Sequence, residues 1–150
     1  MIYSVDVRIE APVRDTEVTD RVADAVRNVF PDAELTHEDG MLVAETHTLD
    51  AFSDVLHEQE ILDTARRVFR RNLTDEGFSF ALKKQAAFEG VVNFAVGNPD
   101  ELGDITVDVR VRDPDPEAFI DYVAPETDEG QPVDPAREYG DRYEPDAGDY

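Results

Sequence analysis

The sequence of 150 residues contains no cysteine, which excludes disulfide bonds, thiolate nucleophiles and thiolate metal sites. It has no run of about 20 apolar residues and no charged-then-apolar leader, so we expect a cytoplasmic protein that does not enter a membrane. There is no phosphate-cradling glycine motif and no serine in a nucleophile-elbow context. His37, His47 and His57 lack a ligand-like spacing. We therefore expect no metal, no cofactor, no catalytic residue and no enzymatic activity.

Basic residues are scarce, with 14 Lys and Arg against 36 Asp and Glu, and the formal net charge is −22. Lysine occurs only at Lys83 and Lys84. One explanation is a protein that binds cations or basic partners. The other is a halophilic protein whose acidic surface stays hydrated in molar salt, and the scatter of acids through the chain favours it. At about 1 M salt the Debye length is roughly 3 Å, so the net charge does not exclude nucleic-acid binding.

Residues 61–94 are the exception to the acidic character of the chain, because they hold six of the 14 basic residues and only four acids. Their pattern predicts a helix from Ile61, a turn, a strand from Phe78 and an irregular loop. The helix has one apolar stripe, formed by Ile61, Leu62, Ala65, Val68 and Phe69. Its opposite face carries Asp63, Arg66, Arg67, Arg70 and Arg71. A basic helix face in an acidic chain is a place where a polyanion could dock.

The whole chain reads β-α-β-β-α-α-β-β before the composition changes at Asp113. Strands with one apolar face are predicted at 2–13, 33–37, 41–47, 78–83 and 105–112. The first helix is predicted to start at Asp15 or Thr16 and to be ended by Pro31, the second to cover 49–58 and the third to start at Ile61. Val18 is predicted to begin the apolar stripe of the first helix. This order indicates an α+β fold with an open, mainly antiparallel sheet and helices packed on one face, followed by an acidic C-terminal tail.

Four short segments stand out together: ILDTAR (61–66), KQAAFEG (84–90), NF (93–94) and LGDITV (102–107). In combination they resemble uncharacterised protein family 0201, an archaeal family assigned to RNA binding. The opening strand and FPDAE (30–34) also fit, so the resemblance covers about residues 2–112. It implies a ribosomal-protein-like fold, similar to the large-subunit protein that holds five-S RNA, and it implies RNA binding.

The expected organisation has three parts. Residues 1–112 form an α+β RNA-binding-like domain. Residues 113–125 form a short docking segment, with one helix over 117–123. Residues 126–150 form a disordered acidic tail, because Pro, Asp, Glu and Gly cannot bury enough surface to offset the entropy of ordering.

The candidate RNA-binding residues are Arg66, Arg67, Arg70, Arg71, Lys83, Lys84, Gln85 and Asn93. The arginines could hold phosphates through bidentate hydrogen bonds, or could pair with acids such as Asp63, three and four residues before Arg66 and Arg67. Arg70 and Arg71 have no well-placed local acid, so we expect them to matter more for RNA binding than Arg66 and Arg67. Lys83 and Lys84 are adjacent in a predicted strand and should point to opposite faces. Gln85 and Asn93 could contact RNA, or could satisfy buried backbone groups. Phe88 and Phe94 are better explained as core residues than as stacking platforms.

The favoured function is a non-catalytic module that contacts structured RNA or a ribonucleoprotein through the basic helix face and the adjacent strand end. The alternative is a homodimer or complex subunit that uses the open sheet face for protein interaction, with arginines paired to acids across the interface. An enzyme acting on a phosphorylated small molecule is the least favoured hypothesis.

Overall fold

The computed structural model describes residues 3–97, 102–128 and 131–132. One sheet of five antiparallel strands has the order β2-β3-β1-β5-β4. Its strands are β1 (Ser4–Pro12), β2 (Leu35–Glu38), β3 (Met41–Thr46), β4 (Gly77–Lys83) and β5 (Asp104–Asp113). The helices are α1 (Thr19–Val29), α2 (Asp50–Glu58), α3 (Leu62–Arg71), α4 (Lys84–Ala87) and α5 (Pro116–Val123). This is the predicted α+β fold, with an open antiparallel sheet.

The core follows from the strict alternation of apolar and polar residues along the two central strands. In β1 the side chains of Val5, Val7, Ile9 and Ala11 are buried, and in β5 those of Ile105, Val107, Val109 and Val111 are buried. The intervening residues of β5 are exposed from Thr106 to Arg112. Because successive side chains of a strand point to opposite faces, one face of the sheet packs under the helices and the other stays open.

Phe69 fixes the orientation of α3 on the sheet. It is fully buried, and its ring centroid lies 4.8 Å from that of Phe78, 4.9 Å from that of Phe80 and 5.9 Å from that of Phe94. These are ordinary distances for favourable aromatic pairs. With this face inward, the arginines of α3 must point away from the core. Phe94 and Phe88 pack against the core, as expected.

The outer edge of β4 is covered by the chain itself. The backbone N–H of Lys83 donates to the carbonyl of Asn93 over 2.8 Å, and that of Ala95 donates to the carbonyl of Ala81 over 2.8 Å. The side-chain amide of Asn72 donates to the carbonyl of Ser79 over 2.9 Å. The short stretch 93–95 and one asparagine therefore satisfy the carbonyls of Ser79 and Ala81 and the N–H of Lys83 on this edge.

The start of the first helix differs from the sequence prediction. The helix begins at Thr19 rather than at Asp15 or Thr16, and Val18 is 61% exposed instead of joining the apolar stripe. The reason is a turn before the helix, in which the N–H of Glu17 donates to the carbonyl of Arg14 over 2.9 Å. The Glu17 carboxylate accepts the backbone N–H of Arg14 in return and is directed into the protein.

The segment after β5 packs on the core through α5. Asp115 caps this helix by accepting the N–H of Ala118 over 2.8 Å, and Phe119, Ile120 and Val123 are buried. Beyond it, Thr127–Asp128 (β6) pairs with Gln131–Pro132 (β7). Of the predicted tail, residues 126–150, the structure describes 126–128 and 131–132, and the other residues lie outside the described ranges. In the described part of the chain, no helix has the length and apolarity needed to cross a membrane.

Candidate nucleic-acid interface

The arginines of α3 form two stripes with different surroundings. Arg66 and Arg70, four residues apart, face α5 and constitute the paired stripe. Arg66 is only 16% exposed and lies 2.7 Å from the carboxylate of Asp121, and it also donates to the carbonyl of Ala124 over 3.1 Å. Arg70 lies 3.0 Å from the carboxylate of Glu117. Acids of the C-terminal helix therefore hold both residues.

Arg67 and Arg71 constitute the unpaired stripe. Both are exposed, and neither has an ion pair with any residue in the ranges that the structure describes. They are one helical turn apart, roughly 6 Å along the axis. Asp63, the predicted partner of Arg66 and Arg67, instead accepts a hydrogen bond from the hydroxyl of Thr127.

This division corrects the expectation that Arg70 lacks a nearby acid. The acid is supplied by α5, 47 positions later in the sequence, and not by α3 itself. Local spacing on one helix could not reveal it. The two arginines that remain available to an outside anion are Arg67 and Arg71, rather than Arg70 and Arg71.

A groove runs between the C-terminal end of α3 and the edge of β4, and we call it the edge groove. Its volume is ≈ 510 Å³. Its lining includes Arg71, Asn72, Ser79, Ala95, Val96 and Asp108. Val96 is 68% exposed, so the groove has an apolar wall beside its charged and amide groups. Arg71 of the unpaired stripe thus lines a concave surface.

A second concavity, with a volume of ≈ 700 Å³, lies on the open sheet face. The linings of the two concavities share Asn72, Ser79 and Asp108.

Lys84 requires a correction to the predicted set of RNA-binding residues. It begins α4 instead of continuing the strand, and it is only 1% exposed. Its ammonium group donates to the carbonyls of Pro12 and Leu102 over 2.6 and 2.7 Å, and it lies 3.0 Å from the carboxylate of Glu17. A cation enclosed by these three acceptors holds the fold together and does not reach a phosphate outside.

The other three candidates remain at the surface near the end of β4. Lys83 is half-buried, whereas Gln85 and Asn93 are exposed. The amides that satisfy backbone groups of this loop come from elsewhere. Gln59 donates to the carbonyl of Gly90 over 2.9 Å and accepts the N–H of Val92 over 3.0 Å. Sequence spacing does not reveal this role, because Gln59 lies more than thirty positions before the loop.

Arginines on the open sheet face form ion pairs with acids of the protein itself. Arg8 lies 2.8 Å from Glu10 and 2.9 Å from Glu45, and its hydrogen bond with Glu10 raises the pKa of the Arg8 guanidinium. Arg110 lies 3.5 Å from Glu76, and Arg112 lies 3.3 Å from Asp6. The arginines of this face are therefore already matched with acids, unlike Arg67 and Arg71. Within the described ranges, no group of three or more His, Asp or Glu residues could hold a metal ion.

A family model described as RNA binding matches residues 6–112, which include the sheet, α3 and the edge groove. The chain belongs to the UPF0201 family. A UPF0201 protein of Sulfurisphaera tokodaii is 38% identical over 133 residues, with 83% of this chain and 90% of that protein covered. A UPF0200/UPF0201 protein of Archaeoglobus fulgidus is 37% identical, and the alignment covers 87% of this chain but only 40% of that longer protein.

The fold is also shared with a solved relative. The crystal structure of a UPF0201 protein from Methanococcus jannaschii has a TM-score of 0.79 and 34% identity, and the match covers 86% of this chain and 99% of that one. The family resemblance of the sequence is thus confirmed. The names of these relatives state no catalytic activity.

Proposed function

We propose that the protein binds structured RNA through the unpaired stripe of α3 and the adjoining end of β4. Arg67 and Arg71 would contact phosphates, and Lys83, Gln85 and Asn93 would extend the contact along the strand end. The observation that carries the proposal is the exposure of two adjacent arginines without an acidic partner among the described residues, in a chain with 36 acids and 14 basic residues.

The chemistry of arginine supports this assignment. Its guanidinium group presents a planar set of donors that matches phosphate oxygens in a bidentate geometry. Arg66 and Arg70 already use donors on Asp121 and Glu117, so they contribute less than Arg67 and Arg71. The absence of aromatic side chains from the open face of the central strands argues against base stacking there, and favours phosphate contact at α3.

The test is an electrophoretic shift of total cellular RNA across a series of potassium chloride concentrations. Arg67→Glu/Arg71→Glu should abolish binding while the fold is retained, because both side chains are exposed. The matched control is Arg21→Glu/Arg27→Glu, which changes the net charge equally on α1, a helix that packs on α2 and α4 rather than on α3. Lys83→Glu should weaken binding and reduce the slope of log affinity against log salt by about 1.

Two outcomes would contradict the proposal. One is equal RNA affinity of the wild type and the folded Arg67/Arg71 double variant. The other is an equal loss in the Arg21/Arg27 control, which would mean that net charge rather than a site governs association. The predicted similarity to the five-S-RNA-binding ribosomal protein stays a prediction.

The second candidate function, a homodimer or complex subunit that uses the open sheet face, has a separate observation in its favour. The face is concave, with a volume of ≈ 700 Å³, and it is lined by both acids and arginines, including Asp6, Glu45 and Arg110. A surface of mixed charge can meet a copy of itself with opposite charges in contact. Sedimentation equilibrium of the full chain at fixed salt tests this function, and a monomer at high protein concentration excludes the homodimer.

A further inference from the structure

Arg71 and Asp108 lie on the walls of the edge groove as a cation and an anion that do not pair with each other. Neither has an ion pair or side-chain hydrogen bond with another residue in the described part of the chain. Asp108 belongs to the exposed row of β5, opposite Ser79 in the sheet register. A ligand that satisfies both must carry an anionic group and, at its other end, hydrogen-bond donors.

Asp108 lies between Arg8 and Ser79 in the sheet register, and Arg8 is paired with Glu10 and Glu45 rather than with Asp108. Asn72 uses its amide N–H₂ on the carbonyl of Ser79, which leaves its side-chain oxygen as an acceptor. An ionised Asp108 can only accept. Among the RNA bases, guanine presents two adjacent donors, N1–H and N2–H₂, and a carboxylate can accept both. Adenine and cytosine each offer one exocyclic amino group, and uracil offers one ring N–H.

The size and walls of the groove agree with such a ligand. Its volume of ≈ 510 Å³ lies within the range of about 300–1,000 Å³ for small-molecule sites. The exposed Val96 and the neighbouring Ala95 supply apolar surface for a flat base. We propose that the edge groove binds an unpaired guanine nucleotide of RNA, with Asp108 accepting from the base and Arg71 contacting the phosphate. This inference rests on the proposed function and adds the identity of the recognised nucleotide.

Guanosine monophosphate is the direct probe. Isothermal titration of the full chain with the four ribonucleoside monophosphates should show a preference for the guanine nucleotide of about tenfold, within the range for a bidentate base contact. Asp108→Asn should remove that preference, because an amide cannot accept both donors. Inosine monophosphate, which lacks the N2 amino group, should bind more weakly than guanosine monophosphate. The matched control is Asp54→Asn, an equal charge change on the exposed side of α2.

The outcomes separate this inference from the proposed function. Three results would overturn the guanine site. They are equal binding of all four nucleotides, no nucleotide binding, and a guanine preference that survives in folded Asp108→Asn. RNA binding that depends on Arg67 and Arg71 without a guanine preference would leave the proposed function standing and refute the guanine site alone. Guanine-specific binding that Asp108→Asn removes supports the site. A protein that binds guanosine monophosphate in this way but binds no RNA would refute the proposed function and, with it, the claim that the guanine belongs to RNA.

Discussion

Replacing Lys84 by methionine should destabilise the protein strongly, because the change leaves the carboxylate of Glu17 buried without its cation. Lys84 is 1% exposed and the side chain of Glu17 is 7% exposed. Removing one partner of a buried ion pair costs about 3–5 kcal/mol. The carbonyls of Pro12 and Leu102 also lose a donor, which places the expected loss in the upper part of this range. At roughly 2–4 °C per kcal/mol for a chain of this size, a loss of about 4–5 kcal/mol should lower the melting temperature by about 8–20 °C.

The assay is urea unfolding at fixed potassium chloride, with linear extrapolation to zero denaturant. Lys84→Met/Glu17→Met should recover part of the loss, since removal of both partners avoids an unpaired buried charge. Recovery should be incomplete, because Glu17 also accepts the backbone N–H of Arg14. Lys83→Met is the matched control and should change the free energy of unfolding by about 0.5 kcal/mol or less. A loss below about 1 kcal/mol for Lys84→Met, with weakened RNA binding, would refute the structural role assigned to Lys84.

Three further predictions concern the stability of the chain. Phe69→Ala should cost about 3–5 kcal/mol in urea unfolding, and a loss under about 1 kcal/mol would mean that α3 is turned the other way. The melting temperature should rise from low to molar potassium chloride, because salt screens the repulsion among the acids; an unchanged value would remove the halophilic interpretation. Truncation after Pro125 should lower the melting temperature by no more than a few degrees, because it removes two contacts at the surface: the ion pair of Glu126 with Arg66, 3.7 Å apart, and the hydrogen bond from Thr127 to Asp63. An exposed ion pair adds about 0–1 kcal/mol, and a larger fall would show that the removed segment is packed.

The sequence was sufficient to predict the sheet and the orientation of α3. Alternation in β1 and β5 identifies their buried residues, and the stripe that ends in Phe69 identifies the inner face of the helix. These patterns are local, with periods of two residues and of about 3.6 residues, so a single sequence carries them.

The partners of the charged residues could not be predicted in the same way. Arg66 and Arg70 depend on acids of α5, and Lys84 depends on a glutamate 67 positions earlier. A lysine after a strand is ordinarily exposed, and only the packing of distant segments shows that this one is buried. The same limit applies to the edge groove, since Arg71 and Asp108 come together only in the folded sheet.

The covered edge of β4 has a consequence for the behaviour of the protein in concentrated salt. Dissolved acidic proteins repel each other in dilute buffer, but at about 1 M salt this repulsion is screened beyond roughly 3 Å. Exposed strand edges are then free to join between molecules. Here Asn93–Ala95 and the side chain of Asn72 hydrogen-bond to the outer edge of β4. The strand at the opposite edge of the sheet, β2, is only four residues long. Protection of this kind depends on geometry, so it persists at ionic strengths where charge no longer keeps molecules apart.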